Sequence, residues 1–217
     1  MNENRSKRLA DEELRYFGQV GASISHDINN ILAIIGELNG LMSDLITLEN
    51  RNNKITKYDK LISIVSRIDD QLKRGAGFAK QLNAFSHVVD HPEGCWNSAE
   101  VLQTAATLAD RTARLKNVTL KLVTADNLPE IKGNLLDLQH IVFRAIQAAV
   151  QTTPKTSCLL INASPSENGL AVHFDAPLPR DDEQRLSWLL LHFGGQLLPD
   201  AVESSFRIIL PNEQSNT

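Results

Sequence analysis

The chain has 217 residues, long enough for two modest domains, and its 42% apolar and 22% charged content suits a folded globular protein. A net charge of −4 and a pI near 5.9 leave no basic footprint, so nucleic acid is not an expected partner. No unbroken run of about eighteen apolar residues occurs, and the polar segment Asn2 to Glu13 lacks the apolar core of a signal peptide, so the expectation is a cytoplasmic protein without a membrane partner. Cys95 and Cys158 are single, far apart and without metal-type spacing, which argues against a zinc site or a disulfide framework.

After a short charged leader, a first helix is expected from about Asp11 to about Glu49. Phe17, Val20, Ile24, Ile31, Ile34, Leu38, Leu41, Leu45 and Leu48 recur at alternating steps of three and four, the a/d seam of a packed helix. One seam position is polar: Asp27, with Ile28 beside it taking up the apolar role. His26 falls on the flank and is expected to face water, with Asn30 one turn further along the same face. The cluster Asn50-Arg51-Asn52-Asn53 marks a turn.

Leu61, Val65, Ile68, Leu72, Ala79 and Leu82 predict a second helix continuing to about Phe85, and the two helices can close as an antiparallel hairpin. That places residues near Ala79 opposite His26. Gly75, Ala76 and Gly77 in the same stretch either leave room for a partner beside the histidine or merely weaken the helix. A hairpin with one apolar stripe on each helix buries both poorly alone, so two copies are expected to form a four-helix bundle.

Between Val88 and Asn97 the periodicity stops, with Pro92 and Gly94 as punctuation, which divides the chain into a helical hairpin (1–90) and a second domain (91–217). Asn97 or Ser98 can cap a helix with Glu100 at its third position and Val101, Ala105, Leu108 and Leu115 on one face. Val118 to Val123 alternates as a strand, and Asn134 to about Thr152 reads as an amphipathic helix. Cys158–Ala163 and Leu170–Phe174, separated by Pro165 to Gly169, suggest a hairpin. A helix from about Asp181 to Phe193 and a strand from Ser205 to Leu210 complete the domain, and the tail after Pro211 is expected to be disordered. The fold class is α+β, with helices on one face of a mixed sheet.

His26-Asp27-Ile28-Asn29-Asn30 resembles the H-box of the dimerisation and phosphotransfer domain of two-component sensor histidine kinases, where histidine is followed by Glu or Asp, two variable positions, then Asn or Thr. Lys80 to His87 resembles the closing segment of that domain, with His87 in place of its arginine; His87 and His91 look like linker residues. Leu138 to Ala149 resembles the N-box helix of the kinase ATP-binding domain, and His192-Phe193-Gly194-Gly195 through Ile209-Leu210-Pro211 resembles its C-terminal segment. The resemblance spans nearly the whole chain and implies a dimeric bundle followed by an α/β sandwich of the kinase ATPase (Bergerat) type.

The second domain departs from the family where the nucleotide chemistry should be. Arg144 and Ala148 stand where two asparagines would hold metal and phosphates, and Asp175-Ala176-Pro177-Leu178-Pro179 stands where the family has Asp-x-Gly-x-Gly. Proline fixes φ and removes an N–H, so two prolines undo what the glycines provide. Too few residues follow Pro179 for a nucleotide lid, and Asp175 is then a structural survivor at a strand end. This combination resembles the ChpT-type histidine phosphotransferases, which relay phosphoryl groups between response-regulator receiver domains. The resemblance implies His26 as nucleophile, Asp27 as proton acceptor or holder of the ring, and Asn30 as the group that orients the incoming acyl phosphate or a water. It implies no cofactor of the chain's own, Mg²⁺ arriving with the receiver domain, and no ATP binding. A kinase with an atypical ATP site and a pseudo-kinase that sequesters a response regulator are the alternatives.

Overall fold

The computed structural model describes residues 2–51, 58–90, 92–199 and 204–212. The chain forms two compact units: Phe17–His87, and Met1–Tyr16 together with Val88–Thr217. Sequence periodicity put all of 1–90 into the hairpin, whereas the first sixteen residues group with the α/β unit. The turn expected around Asn52 and Asn53, His91 and the tail beyond Asn212 lie outside the described residues.

Helix α1 (Asn2–Arg51) starts well before the expected Asp11, and α2 (Tyr58–Ser86) follows it. Three contacts fix their antiparallel register. The rings of Phe17 and Phe85 lie 4.7 Å apart, Gly75 sits against Ile31, and Leu41 and Leu45 share a groove with Ile64. A Cβ on Gly75 would meet Ile31 Cγ2 at an ordinary 3.6 Å, and one on Gly77 would meet nothing, so neither glycine is demanded by crowding.

The inner seam differs in detail from the expected one. On α1, Val20, Ile24, Ile31 and Leu38 are buried with Asp27 among them, while Leu41 and Leu48 are exposed. On α2, Ile64 and Phe85 are buried, and Val65 and Leu72, expected in the seam, point outward. Tyr58, Ile62, Val65 and Leu72 form a second apolar stripe about 100° around the helix, spaced by four, three and seven residues. Within α1, Leu9–Leu48 is long and apolar enough to match a membrane span by length and composition, although the sequence holds no unbroken run of about eighteen apolar residues.

The α/β unit has a five-stranded sheet ordered β2-β4-β5-β7-β6 and a two-stranded sheet of β1 and β3. Strands β2 (Thr119–Thr124) and β4 (Cys158–Ser166) are parallel, while β5 (Gly169–Phe174), β7 (Phe206–Pro211) and β6 (Gln196–Pro199) continue antiparallel. Leu159, Ile161, Ala163, Leu170, Val172, Phe174, Phe206, Ile208 and Leu210 share the buried face. Their core is completed by the apolar faces of α3 (Ser98–Leu115), α4 (Leu135–Thr152) and α5 (Arg180–Phe193). Asn97 caps α3 by accepting from the Glu100 N–H at 3.1 Å, as the capping pattern predicts. Asn134 caps α4 through the N–H groups of Leu136 and Asp137. Leu115 is exposed, and Leu102, Ala109 and Ala113 fill the face of α3 in its place.

Strand β1 (Glu93–Asn97) falls in the stretch expected to be a linker, and β3 (Glu130–Asn134) pairs with it antiparallel. The Trp96 indole N–H donates to the Gly133 carbonyl at 2.8 Å, tying the pair together. Neither strand alternates strongly enough to be read locally; each exists because the other lies beside it. Gly194 ends α5 in the left-handed region at φ 80°. Gly195 then passes so close to the Ile209 carbonyl that a Cβ would lie 2.6 Å from it, which is how β6 reaches the edge of the sheet.

Candidate functional site

His26 and Asn30 lie on α1, one turn apart, and both are exposed. The His26 side chain is 60% exposed and the Asp27 side chain 11%, so neighbouring residues face opposite environments. Helical geometry causes this: at 3.6 residues per turn Asp27 falls on the inner seam with Ile24 and Ile31, and His26 is turned about 100° out of it. The structure therefore places His26, Asp27 and Asn30 together, with the exposed histidine and seam acid that the periodicity predicts. Imidazole Nδ1 lies 3.7 Å from Asp27 Oδ1, within ion-pair reach but too long for a hydrogen bond. Nδ1 is the ring nitrogen within reach of this carboxylate.

The hairpin has two unlike sides. Taking Ile31 as the inner direction of α1, Asn30, His26 and Leu41 turn to one side and Leu32 to the other. Taking Ile64 as the inner direction of α2, Ser63, Lys60 and Arg67 turn one way and Val65, Ile62 and Leu72 the other. A groove of about 380 Å³ lined by Leu41, Leu45, Ile64, Asp59, Lys60, Ser63 and Arg67 identifies which sides coincide. The histidine and the groove share one side, about 22 Å apart along α1 at 1.5 Å per residue. The exposed stripe of Ile62, Val65 and Leu72 shares the opposite side with Leu32.

In the α/β unit the segments that resemble kinase nucleotide motifs are structurally engaged. Arg144 is paired with Asp182 of α5 at 3.4 Å and donates to the Gln147 side chain at 3.1 Å. Burial and the neighbouring Arg185 push its pKa below the usual arginine range. Ala148 is buried. The Thr152 hydroxyl donates to the Pro177 carbonyl at 2.6 Å, fastening the Asp175–Pro179 segment to the end of α4. Asp175 is exposed at the end of β5, and its N–H donates to the Leu160 carbonyl at 3.1 Å. Sequence reasoning identified Arg144 as a departure from a motif but missed its partner Asp182, because the two are 38 residues apart. His87 stands in a short 3-10 turn after α2 (His87–Val89), away from any cluster of metal-ligating side chains among the described residues.

No protein-family model matches this chain, and no curated protein does. Solved structures of histidine kinases are similar to it. The catalytic domain of histidine kinase ThkA matches with a TM-score of 0.46 at 12% identity, over 55% of this chain and 97% of that one. The Acinetobacter baumannii histidine kinase AdeS matches with a TM-score of 0.45 at 10% identity, over 81% of this chain and 96% of that one. ThkA in complex with the response regulator protein TrrA matches with a TM-score of 0.46 at 15% identity, over 100% of this chain and 68% of that one.

Proposed function

We propose that this protein is a histidine phosphotransferase that relays phosphoryl groups between response-regulator receiver domains through a phosphohistidine at His26. The observation that carries the proposal is the pairing of an exposed imidazole with a seam carboxylate and an amide one turn on, the imidazole and amide on one side of a helical hairpin. His26 Nε2 attacks the phosphorus of a receiver's aspartyl phosphate, forming a P–N bond as the P–O bond to the receiver's carboxylate breaks. Asp27 holds the ring by its Nδ1 edge and balances the charge that develops on it, and Asn30 orients the phosphoryl oxygens. Transfer to a second receiver's aspartate runs the same step in reverse. Most of the rate comes from positioning, with Mg²⁺ supplied by the receiver. The groove on the histidine side, with its apolar floor and its Lys60 and Arg67 rim, suits the docking of a receiver.

The side away from His26 is the dimer face in this reading. Tyr58, Ile62, Val65 and Leu72 have the spacing of a bundle seam and are exposed among the described residues, so a second copy can complete the bundle without covering the phosphoacceptor.

The residues present do not fit a magnesium nucleotide. Ala148 offers no ligand, Arg144 is committed to Asp182, and Pro177 is tethered to Thr152. This favours a relay over an ATP-dependent kinase. The test is incubation with labelled phospho-receivers and, separately, with labelled ATP and Mg²⁺. Acid-labile label acquired from a receiver and passed to a second receiver is the expected result. Label from ATP would establish a kinase, and receiver binding without label would establish a sequestering pseudo-kinase.

A further inference from the structure

The hairpin register fixes which part of α2 stands across from His26. Phe17 meets Phe85 at one contact and Ile31 meets Gly75 at another; counted inward from either, His26 is level with residues 76–80 of α2. Helical side chains lean toward the N-terminus of their own helix. On antiparallel helices the His26 ring therefore leans toward the C-terminal end of that window, and a side chain just beyond it leans back toward the ring. Gln81 holds that place. It lies about five turns along α2 from Ser63 and faces the same way, and Ser63 lines the groove that marks the histidine side. Among residues 76–82, Gly77, Phe78 and Gln81 turn to this side, and of these Gln81 alone carries a hydrogen-bonding side chain. It is half-buried. A Cβ on Gly77, one turn before it, would meet nothing within 4 Å, so the flank of α2 is open there.

We propose that Gln81 is a second amide for the phosphoryl group on His26, donating its side-chain N–H to a phosphoryl oxygen from α2 while Asn30 does so from α1. The role rests on the reading of His26 as a phosphoacceptor. The two amides bracket the ring: Asn30 is one turn beyond His26 on α1, and Gln81 leans in from the opposite direction on α2. Charge in phosphoryl transfer is spread over three oxygens, so donors arriving from two helices can hold the group in line. A neutral amide suits a group that must leave again, because a contact that tightened the phosphohistidine itself would slow its departure.

The test offers two donors to the full chain and its variants. Phosphoramidate needs no docking surface: a ring nitrogen of His26 bonds to phosphorus as the donor's P–N bond breaks, and ammonia leaves with the proton that the ring gives up. Phospho-receivers are the second donor. Gln81→Ala should slow phosphorylation from both by roughly tenfold, less than the loss of a buried oxyanion donor because this site is open. With receivers the loss should fall on kcat and leave KM unchanged. Gln81→Glu keeps the shape and the helix but turns a carboxylate toward the phosphoryl oxygens, so it should be slower than Gln81→Ala, and phosphorus NMR should show the phosphoryl group losing its last proton at higher pH than in the wild type. Rates for Gln81→Ala and Gln81→Glu equal to wild type with phosphoramidate would overturn the proposal. A wild type phosphorylated by phosphoramidate but by no receiver would defeat the relay alone, with the variant order under phosphoramidate still deciding the role of Gln81. No phosphorylation of His26 from either donor would overturn both.

Discussion

The two units solve the problem of apolar burial in opposite ways. The α/β unit has three helices over a five-stranded sheet, and its large apolar side chains, Leu138, Phe174, Phe206 and Leu190 among them, are almost completely removed from water within one chain. The hairpin buries one seam and leaves Leu32, Ile62, Val65 and Leu72 in solvent. The difference is one of layers: a sheet with helices on it encloses a core, whereas two helices enclose a line. The proposed phosphoacceptor lies on the incompletely buried unit, where its side chain is exposed. In the unit with the complete core, the positions that resemble the kinase nucleotide motifs make internal bonds, Arg144 to Asp182 and Pro177 to Thr152.

The largest expected effect separates chemistry from packing. His26→Gln changes an exposed side chain, so secondary structure, dimer and receiver binding should be unaffected, while label transfer should vanish because glutamine forms no phosphoramidate. Full relay by His26→Gln in a receiver-to-receiver assay would defeat the assignment.

Next in size are two charges placed at positions that the sequence treats alike and the structure does not. Leu72→Asp adds a carboxylate where the side chain is exposed within the chain, and Ile31→Asp adds one where only 3% is exposed. Burial of an unpaired carboxylate costs several kcal/mol. Leu72→Asp should thus yield a folded monomer by light scattering and circular dichroism, while Ile31→Asp should lose hairpin helicity as well. A wild type that is monomeric at micromolar concentration would remove the bundle.

Within the motif, Asn30→Ala should slow transfer by roughly a hundredfold without abolishing it, the size of one lost positioning contact. Asp27→Asn should lie between Asn30→Ala and His26→Gln in single-turnover transfer kinetics, since an amide still lines the Nδ1 edge but carries no balancing charge. The smallest effect belongs to the self-contained unit. Asn97→Ala removes the cap of α3 and should lower its stability by about 1 kcal/mol in urea unfolding, with transfer from phospho-receivers unchanged.

Helical and strand periodicity, caps and the H-box-like motif are local properties, so the sequence by itself determined the hairpin, the α+β class, the Asn97 cap, the exposed His26 beside a seam Asp27, and the placement of Asn30 one turn away. It also held Arg144, Ala148, Pro177 and Pro179 where the kinase motifs it resembles have asparagines and glycines. Tertiary structure alone decided the rest. Strands β1 and β3 exist through pairing across more than thirty residues. Val65 and Leu72 face outward because the angle of α2 against α1 selects Ile64 as the inner residue. Glu12, Tyr16, His140 and Arg185 meet only when the two ends of the chain come together, 173 residues apart at the Glu12–Arg185 pair. Periodicity reports which residues share a face; it carries no information about which distant charge that face will meet.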